Sequence, residues 1–134
     1  MVDPQAGTTT VDNQYVQLTT VHGRDYQKFS IDHGIHFVPV DEDEADRLDI
    51  QHRVCNIVFD ERLFFPPVGP IRSVLDCGYG AASWAAEVAE RDPDCTVIGV
   101  DISLHMKPDD LPDNFIPQVR CYKQPASASP LLFP

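Results

Sequence analysis

Apolar and polar positions along the chain predict a helix followed by a strand–helix–strand unit. After Asp41, apolar residues such as Leu48 and Val58 recur at helical spacing, and the pattern ends near Phe59. Asp41 can cap the helix, and Glu44, three residues later, can form a capping-box-like pair with it. The sequence therefore predicts a helix from Asp41 to about Phe59.

From Ile71 the pattern changes. Residues 73–76 form a short apolar strand, residues 77–81 a glycine-containing turn, residues 82–90 an alanine-rich helix and residues 96–100 a second apolar strand. Two short strands joined through a helix predict one βαβ unit with parallel strands.

These elements divide the chain into segments. Residues 1–22 are polar with little periodicity and predict a flexible N-terminal segment. Residues 23–70 are expected to form an N-terminal helical cap that begins with loop and short helix. Residues 71–115 hold the βαβ unit, and residues 116–134 form a proline-rich tail without regular structure. The predicted fold class is α/β: a partial doubly wound, Rossmann-like sheet preceded by a helical N-terminal segment.

Length and charge limit the function. The 134 residues suit one domain, and no apolar run is long enough to span a membrane. The N-terminus lacks the features of a secretory signal, which predicts an intracellular protein, cytoplasmic or nuclear. A formal charge of -11 disfavours nucleic acid and anionic membrane surfaces as partners.

Metal-binding signals are weak. The four cysteines, at 55, 77, 95 and 121, form no C-x-x-C pair, so a structural zinc site is not expected. His33 and His36 form an H-x-x-H pair without a third ligand nearby in the pattern. We expect no metal centre.

Candidate chemistry lies in the βαβ unit. Asp76 ends the first strand, Gly78 and Gly80 follow it, and Asp101 ends the second strand 25 residues after Asp76. Ligands of such sheets bind at the carboxyl ends of the strands, where glycines let the backbone approach closely. Asp101 is placed to accept hydrogen bonds from two ribose hydroxyls.

Two ligands fit this layout, and a turn without any ligand is a third interpretation. A dinucleotide prefers G-x-G-x-x-G, but the third glycine position is Ser83. A carboxylate at Asp76 would be unfavourable near a pyrophosphate. It suits the cationic amino-acid end of S-adenosylmethionine, which the pattern therefore favours.

Three stretches of the sequence resemble a known family. The chain is similar to the class I S-adenosylmethionine-dependent methyltransferases, and specifically to their fungal LaeA-like branch, over roughly residues 23–115. The most specific stretch is the acidic helix containing D-R-L-D-x-Q-H. The resemblance is carried by residues 23–29, 39–52 and 74–84, the last followed by residues 97–103.

The resemblance implies roles in binding the methyl donor. Asp101 would hold the ribose, Ile102 would lie beside the adenine, and Tyr26 would come from the N-terminal segment that covers the site. An ordinary half-buried aromatic is the alternative for Tyr26. Arg47, Asp49 and His52 are expected to brace the helix against its neighbours rather than react. The residues expected at the cofactor site are Tyr26, Asp76, Gly78, Tyr79, Gly80, Asp101 and Ile102.

The sequence also departs from the family pattern. Ala82 replaces the third glycine of the turn, and Tyr79 is bulky enough to intrude on the pocket. After Phe115 the expected third strand gives way to the proline-rich tail, as in a truncated sequence. These departures predict a first strand with an open edge.

The resulting functional hypothesis is a methyltransferase-like protein of fungal secondary metabolism whose substrate-binding half is missing. It would act on a small molecule if active, with weak or absent catalysis by the isolated chain. The alternatives are a non-catalytic remnant or partner subunit, whose open sheet edge pairs with another protein, and an unrelated nucleotide-binding protein.

Overall fold

The computed structural model describes residues 12–120. Within this range a short N-terminal hairpin precedes a long helix and a parallel sheet. In chain order the elements are a 3₁₀ helix (Asn13–Tyr15), β1 (Leu18–Val21), β2 (Arg24–Gln27), α1 (Lys28–Asp32), α2 (Glu42–Val58), β3 (Ser73–Cys77), α3 (Ser83–Arg91), β4 (Thr96–Asp101) and β5 (Phe115–Val119).

A three-stranded sheet with the order β3-β4-β5 positions the candidate site. Both strand pairs are parallel, and α3 connects β3 to β4. The sheet confirms the α/β class and the predicted βαβ unit. The first strand extends to Cys77 and the second to Asp101, one residue beyond each predicted end.

One face of the sheet and α3 enclose the core. Val97 and Ala85 are fully buried, and Phe115 and Tyr79 pack edge to face with ring centroids 5.7 Å apart. Burying a side chain the size of Val97 stabilises the fold by about 1.5–3 kcal/mol. Asn114 ties the same region together, because its Nδ2 lies 2.8–3.1 Å from the carbonyl oxygens of three residues at the end of α3 and in the following turn.

The predicted helix is present as α2, with Asp41 as its N-cap and Phe59 as its C-cap. Asp41 Oδ1 accepts a hydrogen bond from the Glu44 backbone N–H at 3.0 Å. The reciprocal half of a capping box is not formed, because the Glu44 carboxylate pairs with Arg47 instead. Asp41 also accepts two hydrogen bonds from the Arg24 guanidinium, both 2.7 Å, and so joins the hairpin to the helix.

His52 braces α2 against α3, as expected. Its Nε2 lies 2.5 Å from Glu87 Oε2, and Asn56 Nδ2 donates to the same oxygen at 2.7 Å. Arg91 also pairs with Glu87. Burial alone would raise the pKa of Glu87, but the hydrogen bonds from Asn56, His52 and Arg91 together lower it.

The prediction of a flexible segment was wrong for residues 18–21. They form β1, which pairs with β2 in an antiparallel hairpin where Val21 lies opposite Arg24. The connecting residues, His22 and Gly23, have φ angles of 52° and 76°, as a two-residue type I′ turn requires. The polar Thr19 and Thr20 interrupt the apolar pattern of β1, so the sequence did not indicate a strand. Residues 1–11 lie outside the described residues.

The prediction that regular structure stops at residue 115 was also wrong. β5 is a third parallel strand, and it contains Pro117. Asn114 O accepts from Val97 N, and Arg120 N donates to Asp101 O, both at 2.8 Å, so the even-numbered residues of this strand turn their backbone groups toward β4. Pro117 therefore faces the outer edge, where its missing N–H costs no sheet hydrogen bond. The predicted tail beyond residue 120 lies outside the described residues.

The face of the sheet opposite α3 carries apolar side chains that the described elements cover only in part. Leu75, Ile98 and Ile116 lie side by side across the three strands, on the face opposite α3. Leu75 is 52% exposed and Ile116 45%. β3 is also an edge strand, and its odd-numbered residues turn their backbone groups away from β4. None of the helices described within residues 12–120 combines the length and the apolar character of a membrane-spanning segment.

Gly99 is required by the packing of two aromatic rings, which gives a stability prediction. A Cβ at Gly99 would lie 2.6 Å from the Phe115 ring and 2.7 Å from the Tyr79 ring. We expect Gly99→Ala to lower the free energy of unfolding, measured by urea denaturation, by about 1–3 kcal/mol through overpacking. Gly69→Ala is the control, since nothing lies within 4 Å of the Cβ it adds. Equal losses in the two variants would contradict the steric explanation.

Candidate functional site

A cavity of about 570 Å³ opens at the carboxyl ends of β3 and β4. The glycine turn and the loop after β4 form one wall, and α2 and the segment before it form the other. The residues on the sheet side are Cys77, Gly78, Gly80, Val100, Asp101, Ile102 and Ser103. This is the position where parallel α/β sheets bind their ligands.

Left-handed backbone shapes the glycine turn. Gly78 and Gly80 have φ angles of 85° and 56°. A Cβ at Gly80 would lie 3.2 Å from Leu48 Cδ1, so α2 approaches the turn closely. Ala82 shares this conformation, with φ 64°, and is 1% exposed. A residue with a Cβ adopts the left-handed region at a cost of about 1–2 kcal/mol. Ala82 therefore adds strain to the turn while keeping the backbone conformation that glycine would adopt.

Asp101 connects the two loops that meet at the cavity. Its Oδ2 accepts a hydrogen bond from Gly80 N at 2.9 Å, and its Oδ1 accepts from Ser103 N at 3.0 Å. The carboxylate is thus fixed by backbone on both sides of the sheet end. Each oxygen keeps a further lone pair, so Asp101 can still accept hydrogen bonds from a pair of hydroxyls.

Asp76 is a half-buried carboxylate to which no described residue donates a hydrogen bond. Its strand register places it on the same sheet face as Asp101. Burial raises the pKa of Asp76, and the negative charge of Asp101 raises it further. Two carboxylates in this arrangement favour a cationic group beside them.

The opposite wall of the cavity is mainly apolar, which suits a flat heterocycle. Leu48 from α2 and Val40 before it contribute to this wall, and Met106 adds an apolar side chain from the loop after β4. His36 and Arg47 add polar groups, although Arg47 is held by Glu44 through hydrogen bonds of 2.7 and 2.8 Å.

The structure brings together four of the seven residues expected at the site. Gly78, Gly80, Asp101 and Ile102 line the cavity, and Asp76 lies directly before the lining residue Cys77 without lining the cavity itself. Tyr26 is half-buried on β2 and is not among the lining residues.

Tyr79 also does not line the cavity, because its side chain turns into the core against Phe115. It therefore does not intrude on the cavity. Its hydroxyl is buried without a hydrogen-bond partner among the described residues. Burial raises the pKa of this hydroxyl, and the charge of Asp101 raises it further.

Several contributors have no clear signal in the sequence. Leu48, predicted as a helix residue, faces the cavity because α2 crosses the glycine turn. Gln27, the polar last residue of β2, is 2% exposed and bonds to the loop after β4. Neither could be inferred without the relative placement of the N-terminal segment and the sheet.

The paired histidines have separate surroundings. His33 stacks on Phe29 with ring centroids 4.1 Å apart, whereas His36 lines the cavity. In the described part of the chain, no three His, Cys, Asp or Glu side chains converge as metal ligands would.

Comparison with known proteins identifies the relatives of this chain. It is 40% identical over 88 residues to the protein-methionine methyltransferase laeA of Emericella nidulans, covering 65% of this chain and 23% of the relative. It is 31% identical over 135 residues to the secondary metabolism regulator laeA of Fusarium oxysporum, covering 98% of this chain and 42% of the relative. Over the aligned residues, the chain is similar to the LaeA proteins.

A third relative is the secondary metabolism regulator laeA of Monascus pilosus. It is 41% identical over 83 residues, which cover 61% of this chain and 22% of the relative. The LaeA-like chain thus spans less than half the length of these three relatives. No family model matches it, and no solved structure matches it.

The raised pKa of Asp76 gives a pH-dependent prediction. Between its usual value of 3.8 and the raised value, the folded state binds more protons than the unfolded state, so the stability contribution of Asp76 falls as pH rises. We expect Asp76→Asn to be more stable than the wild type at pH 7, and this advantage to shrink on acidification toward pH 4. Urea denaturation across this range measures it.

The control for Asp76→Asn is Asp94→Asn, at an exposed position. It removes the same formal charge and should change stability by less than about 0.5 kcal/mol. A wild type more stable than Asp76→Asn at pH 7 would show that the carboxylate has a stabilising partner and contradict our interpretation.

The unpaired hydroxyl of Tyr79 gives a second prediction. Tyr79→Phe removes a buried polar group that has no partner among the described residues, so we expect unchanged stability or a gain of up to about 1 kcal/mol. Thermal unfolding measures this change. A loss above about 1 kcal/mol would show that the hydroxyl makes a stabilising hydrogen bond.

Proposed function

We propose that this LaeA-like chain binds S-adenosylmethionine in the cavity at the ends of β3 and β4. The observation that carries the proposal is a pair of carboxylates at this end of the sheet, Asp101 in the cavity wall and Asp76 directly before the lining residue Cys77. Asp101 is fixed by two backbone N–H groups, whereas Asp76 has no hydrogen-bond donor among the described residues. A ligand that supplies a vicinal diol and a cationic amino-acid end satisfies both carboxylates.

The chain's own residues would each hold a part of the ligand. Asp101 would accept from the ribose hydroxyls, and Asp76 would attract the cationic amino-acid end. Ile102 would pack beside the adenine, and Gly78 and Gly80 would let the backbone approach. When bound, S-adenosylmethionine supplies an electrophilic methyl group.

The same groups disfavour a dinucleotide. A pyrophosphate near the glycine turn would meet the Asp76 carboxylate, whose pKa is already raised by burial and by the nearby Asp101. Adding two more negative charges would increase this repulsion. The missing third glycine of the dinucleotide pattern agrees with this exclusion.

We further propose that the chain takes part in fungal secondary metabolism and that catalysis by these 134 residues alone is weak. Relatives are named secondary metabolism regulators, and one is named a protein-methionine methyltransferase. The acceptor would accordingly be a small molecule or a protein side chain. Methyl transfer depends on positioning the acceptor against the methyl group. The exposure of Leu75 and Ile116 supports an incomplete acceptor site.

Titration calorimetry with S-adenosylmethionine tests the binding proposal. We expect Asp101→Asn to weaken binding by at least about tenfold, because one charged acceptor oxygen is replaced by a donor. The control Asp94→Asn carries the same charge change far from the cavity and should bind like the wild type. A folded wild-type chain that binds NADH and not S-adenosylmethionine would contradict the proposal.

Cys77 offers an independent measurement of where the ligand binds. It is exposed and lines the cavity, whereas Cys95 is buried in the core. We expect S-adenosylmethionine to slow alkylation of Cys77 by iodoacetamide, quantified by peptide mass spectrometry. Unslowed alkylation under saturating ligand would place the binding elsewhere.

The exposed apolar face supports a second candidate, a non-catalytic partner subunit. β3 offers unpaired backbone groups next to the exposed Leu75. Such an edge can pair with another chain. Sedimentation of the wild type and of Leu75→Lys measures this association. An associated wild type and a monomeric variant would support this candidate. A monomeric wild type that binds S-adenosylmethionine would favour the binding function proposed first.

A further inference from the structure

We infer that Gln27 is a positioning residue that fixes the peptide unit between Ile102 and Ser103 at the edge of the cavity. The inference rests on the proposed function only for its effect on ligand affinity. Gln27 ends β2, 75 positions before Ile102 in the chain. Its side chain is 2% exposed, so its polar atoms must be satisfied within the protein.

The Gln27 amide uses both of its protons. Nε2 donates to Ile102 O at 2.7 Å and to Tyr15 O at 2.8 Å. Its Oε1 accepts a hydrogen bond from the Ser30 hydroxyl. The position requires two donors and one acceptor. Among uncharged side chains of this length, only glutamine provides them.

The Ile102–Ser103 peptide unit is held from two sides. Its carbonyl oxygen accepts from Gln27, and its N–H donates to Asp101 Oδ1 at 3.0 Å. Rotation of this peptide plane would break both bonds at once. Because the other oxygen of Asp101 accepts from Gly80 N, Gln27 acts through this peptide on the carboxylate and on the glycine turn.

Docking of the N-terminal segment does not depend on Gln27 alone. His105 Nε2 lies 3.0 Å from Val16 O and forms a second connection between that segment and the loop after β4. Loss of the Gln27 amide should therefore free the peptide unit while the segment stays in place. This separates a positioning role from general support of the fold.

The test compares two buried substitutions in the full chain. Gln27→Met keeps the length of the side chain and removes both donors, whereas Ser30→Ala, at a residue 1% exposed, removes only the contact to Gln27 Oε1. We expect amide hydrogen exchange of Ser103 to accelerate at least about tenfold in Gln27→Met, and less than about threefold in Ser30→Ala. The Kd for S-adenosylmethionine should rise by similar factors.

A third variant gives a readout that loss of packing would not produce. Gln27→Glu keeps the shape, and its carboxyl regains one donor only when protonated. We expect the protection of Ser103, corrected for intrinsic exchange, to rise as pH falls in this variant and not in the wild type. This variant also decides the matter if Gln27→Met fails to fold.

The possible outcomes separate the two claims. Unchanged Ser103 exchange in Gln27→Met, or equal acceleration in Ser30→Ala, would overturn the role of Gln27. A wild-type chain that does not bind S-adenosylmethionine would overturn the proposed function, and the exchange measurements would still decide the role of Gln27.

Discussion

The two backbone hydrogen bonds to the Asp101 carboxylate are the interaction on which the site depends. They join the glycine turn after β3 to the loop after β4, so the sheet end has a single defined shape. Removal of this carboxylate would leave two N–H groups without their partner. Each buried donor left in this way costs about 1–3 kcal/mol. The carboxylate oxygens of Asp101 therefore stabilise the fold and, in the proposed function, also bind the ligand.

The βαβ unit could be predicted from sequence because its signals are local. Apolar strands, the glycine turn and the alanine-rich α3 each follow from residues close in the chain. The β1–β2 hairpin was missed because its turn is His22-Gly23 and not one of the stronger asparagine or aspartate forms. β5 was missed because Pro117 argues against a strand unless its backbone faces an outer edge.

The site was predictable only in part for a similar reason. Gly78, Gly80 and Asp101 were found because motif and strand ends determine where they lie. The inward turn of Tyr79 depends on Gly99 and Phe115, which lie at least 20 positions away and leave room for its ring. Gln27 reaches Ile102 across 75 positions. Contacts of this range follow from the packing of whole elements, which local pattern does not determine.

The two edges of the sheet differ in what they allow. Pro117 interrupts the outer side of β5, whereas β3 offers a continuous row of backbone groups. Strand addition is therefore possible at one edge only, as far as residues 12–120 determine it. If two chains paired through their β3 edges, both of these edges would be used, and the three-stranded sheet would present only its interrupted β5 edge. Self-association through the edge strand β3 would therefore close at a pair and not continue into a fibre.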